Sequence, residues 1–179
     1  VVKEVNFPKG VLNIIHGTGA RTGDALTRHE RVKAISFTGG TETGKRIIEV
    51  AGTQFKKLSL ELGGKNPNLI FADCDFDKML STTVRSSFAN QGQICLCGSR
   101  ILVEESIYEK FKEAFVAKVS KMKVGDPSSE DTKLGAVVSE PHMEKILSYI
   151  DIAKQEGGRV LCGGERVRLG GDLENGYYI

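Results

Sequence analysis

A parallel α/β architecture is predicted by the alternation of short apolar runs with helical patterns along all 179 residues. Two glycine-rich loops, Gly17 to Gly23 and Thr38 to Gly44, support it, because each follows an apolar run and precedes a helical pattern. No internal repeat or low-complexity segment interrupts the alternation.

Val11-Leu12-Asn13-Ile14-Ile15, bounded by glycines, reads as a buried strand leading into Gly17-Thr18-Gly19-Ala20-Arg21-Thr22-Gly23 and a short helix from about Asp24 to His29. This loop is one residue off the G-x-G-x-x-G fingerprint. A tight strand-to-helix turn and a nucleotide cradle are both open readings of it. A second strand, Val32 to Phe37, enters Thr38-Gly39-Gly40-Thr41-Glu42-Thr43-Gly44 and a helix carrying Ile47, Ile48 and Ala51. Strand, glycine loop and helix in that order turn backbone N–H groups toward a phosphate at the helix N-terminus. Leu58, Leu60 and Leu62 alternate with Ser59 and Glu61, so a strand holds Glu61 on the face opposite the leucines.

Asn68 to Ala72 reads as the next strand. Asp75 is placed to cap a helix whose stripe is Phe76, Met79, Leu80, Val84 and Phe88, with Asn90 and Gly92 ending it in the left-handed conformation. Gly98 to Val103 follows as a strand, and Tyr108, Phe111, Phe115, Val119 and Met122 stripe an amphipathic helix. Gly125-Asp126-Pro127 breaks that pattern. Ser139 and Pro141 open a helix with Met143, Ile146, Leu147 and Ile150, which Gly157-Gly158 ends, and Arg159 to Cys162 is expected as a last strand. The half beyond Gly98 reads as scaffold.

Composition narrows the function. Hydrophobic residues are 40% and charged residues 27%, as in an ordinary globular protein. The net charge is +2 without a basic cluster, which argues against nucleic acid as the main partner. No apolar run approaches membrane-spanning length, and Val1-Val2-Lys3 does not begin a signal peptide, so no membrane partner is expected. The four cysteines, Cys74, Cys95, Cys97 and Cys162, are then expected as reduced thiols in a cytoplasmic compartment. Cys95-Leu96-Cys97 lacks the second pair or the histidines of a zinc set, so no metal site is expected. His16, His29 and His142 read as surface or structural.

The chemistry concentrates between Leu60 and Gly98. Leu60-Glu61-Leu62-Gly63-Gly64-Lys65-Asn66-Pro67 ends a strand on a carboxylate before two glycines, and Phe88-Ala89-Asn90-Gln91-Gly92-Gln93-Ile94-Cys95-Leu96-Cys97-Gly98 places a cysteine in a small polar loop after a helix. A carboxylate that activates water and a thiol that attacks carbon are the two halves of a covalent hydrolytic cycle. Taken singly, a strand carboxylate is most simply solvated and a free cysteine most simply an inert core residue. The inert role is assigned to Cys74 and Cys162. Because Cys95 follows a helix C-terminus, the helix dipole opposes a thiolate there, and activation is expected from loop N–H groups or a bound positive ring.

These paired segments resemble the glutamate and cysteine signatures of the NAD(P)-dependent aldehyde dehydrogenase superfamily, in the same order and at a similar spacing. The resemblance runs over essentially the whole chain. It implies Glu61 as general base and Cys95 as nucleophile, with Cys97 two positions late. It also implies cofactor contacts at Gly19, Gly23, Phe37, Thr38, Gly39, Gly40, Thr43 and Leu62. The cofactor diphosphate is expected at the second glycine loop, where position 40 is glycine and many relatives carry serine. The context Arg85-Ser86-Ser87-Phe88-Ala89-Asn90-Gln91 with Ile94-Cys95-Leu96-Cys97 looks most like the 2-aminomuconic and 2-hydroxymuconic semialdehyde dehydrogenase branch.

The fold so implied is the end of a Rossmann-like cofactor domain, residues 1–61, joined to the start of an α/β catalytic domain, residues 62–179, with the site at their junction. The implied reaction is oxidation of a small aldehyde to an acid with NAD (NADP stays open), in a full-length homo-oligomer of which this chain is an internal fragment. The fragment by itself is expected not to turn over. A non-catalytic piece that only binds nucleotide or a partner is the alternative.

Overall fold

The computed structural model describes residues 4–179, and the Val1-Val2-Lys3 start, read above against a signal peptide, lies outside the described residues. The chain divides into two compact units, Val1–Gly63 and Gly64–Ile179.

In the first unit a π-helical turn, Gly19–Gly23, runs directly into α1 (Asp24–Arg28). Then come β1 (Ala34–Gly39), α2 (Thr41–Gly52) and β2 (Lys57–Leu62). β1 and β2 pair in parallel from Ala34 opposite Lys57 to Gly39 opposite Leu62, and α2 is the crossover that a parallel pair requires. It buries Gly44, Ile47, Val50 and Ala51. Gly44 permits the close approach: a Cβ there would stand 2.7 Å from Leu62 Cδ2. Ile48, grouped with Ile47 and Ala51 in the sequence, is 48% exposed, because it lies about 100° around the helix from Ile47.

Two expectations are corrected in this unit. β1 begins at Ala34 rather than Val32 and reaches Gly39, its start set by the ladder opposite Lys57. Val11 to Ile15 form no strand, and Ile14 is 75% exposed. An apolar run becomes a strand only where a neighbour completes its hydrogen bonds, and among the described residues β1 and β2 pair with each other alone.

The second unit holds β3 (Asn66–Ile70), α3 (Phe76–Phe88), β4 (Gly98–Val103), α4 (Tyr108–Val119) and α5 (Glu140–Gln155). β3 and β4 pair in parallel with a register shift between Asn66 and Pro67, where proline has no N–H to give to a ladder. β3 thus starts and ends two residues earlier than the sequence suggested. Asp75 caps α3, its Oδ1 accepting from the Lys78 N–H at 3.1 Å. The helix stripe closes over the core of Ile70, Leu80 and Phe111, joined by Phe76, Met79, Ile101 and Phe115. α5 carries proline in its first turn, and Gly157 (φ +90°) follows its end. Arg159 to Cys162 form no strand; the ordered pairings outside the sheets are single bridges, Val124 with Leu134 and Val167 with Tyr178. No described helix is long and apolar enough to cross a membrane.

Candidate active site

In the first unit the candidate residues Phe37 to Gly40, Glu61 and Leu62 lie at the C-terminal ends of the two parallel strands, where open α/β sheets hold their ligands. Gly40 is the N-cap of α2 and gives it no side-chain cap. The first helical hydrogen bond is Gly44 N–H to Gly40 O at 3.0 Å, which leaves the N–H groups of Thr41, Glu42 and Thr43 without acceptors inside the helix. A Cβ on Gly40 would meet nothing within 4 Å, so the space above this terminus is open. Free N–H groups at the positive end of a helix form a cradle for an anion.

Beside the cradle lies a cavity of about 900 Å³ lined by Gly19, Gly23, Leu26, Phe37, Thr43 and Ile47, among others. Its volume is in the range of small-molecule sites. The structure therefore brings residues of both glycine loops to one cavity, where the sequence reading favoured the second loop for the diphosphate. Gly19, Gly23, Phe37 and Thr43 line it, whereas Thr38 and Gly39, the last two residues of β1, and Gly40, the N-cap of α2, do not. Leu62 does not line it; its side chain packs on Gly44.

The cavity wall carries charge. Arg28 Nε donates to Asp24 Oδ2 at 2.5 Å, and this hydrogen bond, with the nearby Arg46, holds the Asp24 carboxyl below the usual range. Glu42 accepts from Lys45 Nζ at 2.8 Å and raises that ammonium above its ordinary value. Glu61 stands next to the end of β2 with Thr38 opposite in register. It is exposed, while Leu58, Leu60 and Leu62 on the other face are half-buried, and its carboxylate makes no hydrogen bond or ion pair among the described residues.

In the second unit α3 stops at Phe88 and the chain turns through three left-handed residues: Asn90 (φ 51°), Gln91 (φ 54°) and Gly92 (φ 70°). Asn90 and Gly92 were expected there; Gln91 was not, since only Asn and Gly adopt this region readily. Ile94 to Cys97 then form a tight turn closed by the Cys97 N–H on Ile94 O at 2.9 Å. Cys95 sits at the exposed corner of this turn, and Cys97 is 7% exposed. Cys74 packs against the Ile70–Leu80–Phe111 core, and both it and Cys162 are half-buried rather than enclosed.

The turn is tied to its surroundings by side chains that sequence reasoning did not single out. Asn66 Nδ2 donates to Cys95 O at 2.6 Å and to Cys97 O at 3.1 Å. Ser87 Oγ donates to Gly98 O at 3.0 Å, and the Gly98 N–H donates to Ser86 Oγ at 3.2 Å. His142, on the first turn of α5, shares a 3.3 Å hydrogen bond with Gln93 Oε1, so the half read as scaffold reaches the thiol loop. His16 and His29 are exposed. Lys56, unremarked in the sequence, is buried against α1. Among the described residues no group of three or more His, Cys, Asp or Glu is placed to hold a metal.

The first unit thus has an uncapped helix N-terminus beside a cavity, and the second an exposed thiol on a tight turn, within an α/β chain. The model of the aldehyde dehydrogenase family matches residues 1–179, and the chain belongs to that family. It is 52% identical over 163 residues to the 2-aminomuconic semialdehyde dehydrogenase of Danio rerio, covering 91% of this chain and 34% of that protein. It is 42% identical over 180 residues to the 2-aminomuconic 6-semialdehyde dehydrogenase of a Pseudomonas species, covering 100% and 37%. Among solved structures, betaine aldehyde dehydrogenase from Staphylococcus aureus in complex with NAD+ matches with a TM-score of 0.92 at 44% identity, over 98% of this chain and 35% of that one. The fold is thus α/β with a Rossmann-like first unit, and the chain spans about a third of the length of the relatives it matches.

Proposed function

We propose that the full-length protein oxidises an aldehyde to a carboxylic acid with NAD, using Cys95 as nucleophile and Glu61 as general base. In this reading residues 1–61 form the cofactor side and residues 62–179 the thiol-bearing side. The observation that carries it is the contrast within the C-x-C: Cys95 is exposed at the corner of a tight turn, while Cys97 is buried two residues on. Only the former offers sulfur to a carbonyl carbon.

The chain's own groups suit a dinucleotide. The open N-terminus of α2 at Gly40 matches a diphosphate, and the cavity lined by Gly19, Gly23, Phe37 and Thr43 matches the rest of a nucleotide. Such a cofactor supplies the acceptor for the hydride. Cys95 thiolate adds to the aldehyde carbon to give a thiohemiacetal, and loss of the hydride from that carbon leaves a thioester on Sγ. Glu61 then takes a proton from water, whose oxygen attacks the thioester carbon and returns Cys95 as thiolate. The exposed, unpaired Glu61 carboxylate is available for this proton, which favours a free acid as product.

The substrate class is a muconic semialdehyde, supported by the names of relatives at 52% and 42% identity and by the sequence around Cys95. NADP is the alternative oxidant. We extend the reading to a homo-oligomer in a cytoplasmic compartment, where four free thiols are ordinary.

The test is Cys95→Ala and Cys97→Ala in the full-length protein, assayed for NADH with 2-hydroxymuconic semialdehyde and with betaine aldehyde. Cys95→Ala abolishes turnover and Cys97→Ala retains it, with preference for the muconic substrate. Loss in Cys97→Ala alone overturns the register. Nucleotide binding without turnover in the unaltered protein supports the binding-only alternative.

A further inference from the structure

The turn that carries Cys95 is held by one side chain from a distant part of the second unit. Asn66, the first residue of β3, directs its carboxamide nitrogen at two carbonyls, Cys95 O at 2.6 Å and Cys97 O at 3.1 Å. A primary amide has two N–H bonds and no more, so these carbonyls take its whole donor capacity. The register shift between Asn66 and Pro67 sets Asn66 opposite Gly98 at the start of the ladder, which is how a strand residue comes to lie beside the turn.

Because each peptide unit is planar, holding the Cys95 carbonyl fixes the plane on the C-terminal side of the cysteine Cα. Holding the Cys97 carbonyl fixes a second plane, whose Gly98 N–H goes to Ser86 Oγ. On the other side the chain arrives through the left-handed Asn90, Gln91 and Gly92, conformations that persist only where the surroundings enforce them. Within the turn the closing bond is that of the Cys97 N–H to Ile94 O, and it does not touch the carbonyl of Cys95.

We infer that Asn66 is a positioning residue for the nucleophile: its amide sets the orientation of the Cys95 backbone, and so the place of Sγ, without contact with substrate. This rests on the reading of Cys95 as the nucleophile. The consequence is kinetic. A reacting atom displaced by about 1 Å costs on the order of 10²-fold in rate, whereas cofactor binding, a property of the first unit's loops, is not addressed by this amide.

Two substitutions in the full-length protein separate positioning from folding. Asn66→Asp keeps the shape but turns the donor into an acceptor facing two carbonyl oxygens; Asn66→Ser keeps a single donor. Each is assayed by single turnover of hexanal at saturating NAD, which gives a rate constant and an amplitude, and by titration with NAD. Asn66→Asp is expected to lower the rate constant about 10²-fold at full amplitude and unchanged NAD affinity, with Asn66→Ser between it and the unaltered protein. A normal rate constant in Asn66→Asp overturns the inference. So does a reduced amplitude at a normal rate constant, which marks loss of folded sites. Cys95→Ala, run in parallel, keeps the two claims apart, because turnover in that variant removes the nucleophile reading itself.

Discussion

Lys56→Met is the substitution whose effect follows most fully from the geometry of the first unit. Lys56 is 9% exposed, and its Nζ donates to Thr27 O at 2.5 Å and to His29 O at 2.8 Å. Those carbonyls close α1, whose five residues are too few to hold themselves together. Methionine keeps the stem and removes the ammonium. Two hydrogen bonds to a charged group contribute about 3–6 kcal/mol together. Release of a buried cation from its desolvation offsets several kcal/mol of that, leaving a net loss of about 1–2 kcal/mol. For a domain of 150–250 residues this lowers Tm by about 2–4 °C per kcal/mol. Leu26 and Thr27 of α1 line the cavity, so ligand binding must restore the order that the substitution removes, and NAD affinity should fall about 5- to 30-fold. The assay is thermal unfolding with and without NAD, together with an NAD titration, in the full-length protein. kcat at saturating NAD should be unchanged, and Lys56→Arg should recover most of the affinity. Unaltered Tm and unaltered NAD affinity in Lys56→Met would refute the claim that this lysine holds the cavity wall.

The first unit offers two further tests. Gly39→Val places a Cβ 2.5 Å from Phe37 Cζ, displacing a ring that lines the cavity; NAD affinity should drop tenfold or more, about 1.4 kcal/mol, and an unchanged Kd would move the diphosphate to the Gly17–Gly23 loop. Gly40→Ser adds a cap to α2 where no atom lies within 4 Å of the new Cβ, so stability should rise by a few tenths of a kcal/mol, read as a small increase in Tm. In the second unit Glu104 accepts from the Ala72 N–H at 2.8 Å and from Ser106 Oγ at 2.6 Å, and the serine first, then the amide, hold its carboxyl below the ordinary range. A depressed folded-state value means that this contribution is complete above the ordinary carboxylate range and fades as pH falls through the folded value. The Tm difference between the unaltered protein and Glu104→Gln should therefore shrink in acid, and a constant difference across that window would contradict the assignment.

Local chemistry was legible where one segment settles its own structure. Asp75 with the Phe76–Leu80–Val84 stripe gave α3 its start and its buried face, and Gly98 to Val103 gave β4 its bounds. Apolar runs without a ladder partner misled: Val11 to Ile15 and Arg159 to Cys162 have the composition of strands, but composition does not supply hydrogen bonds from a neighbour. The two-residue displacements of β1 and β3 have the same origin, since each bound is fixed by the partner strand. At the candidate site, Cys95 and Glu61 stand in local motifs dense enough to single them out as candidates from the sequence. Asn66 and Lys56 could not be singled out, because their hydrogen bonds span 27 to 31 positions and leave no trace in the neighbouring residues. The only hint at Asn66 was the following proline, which weakens a strand's first pair.

The central claim is a covalent acyl-enzyme on Cys95 that Glu61 resolves. Glu61→Gln in the full-length protein keeps the side chain's size and removes its basicity, so the thioester should form and then persist. Peptide mass spectrometry after incubation with NAD and an aldehyde reads this directly. The account expects the acyl mass on the peptide containing Cys95, located at Cys95, together with one equivalent of NADH and no sustained turnover. Undiminished turnover with no adduct, or an adduct at Cys97, would contradict it.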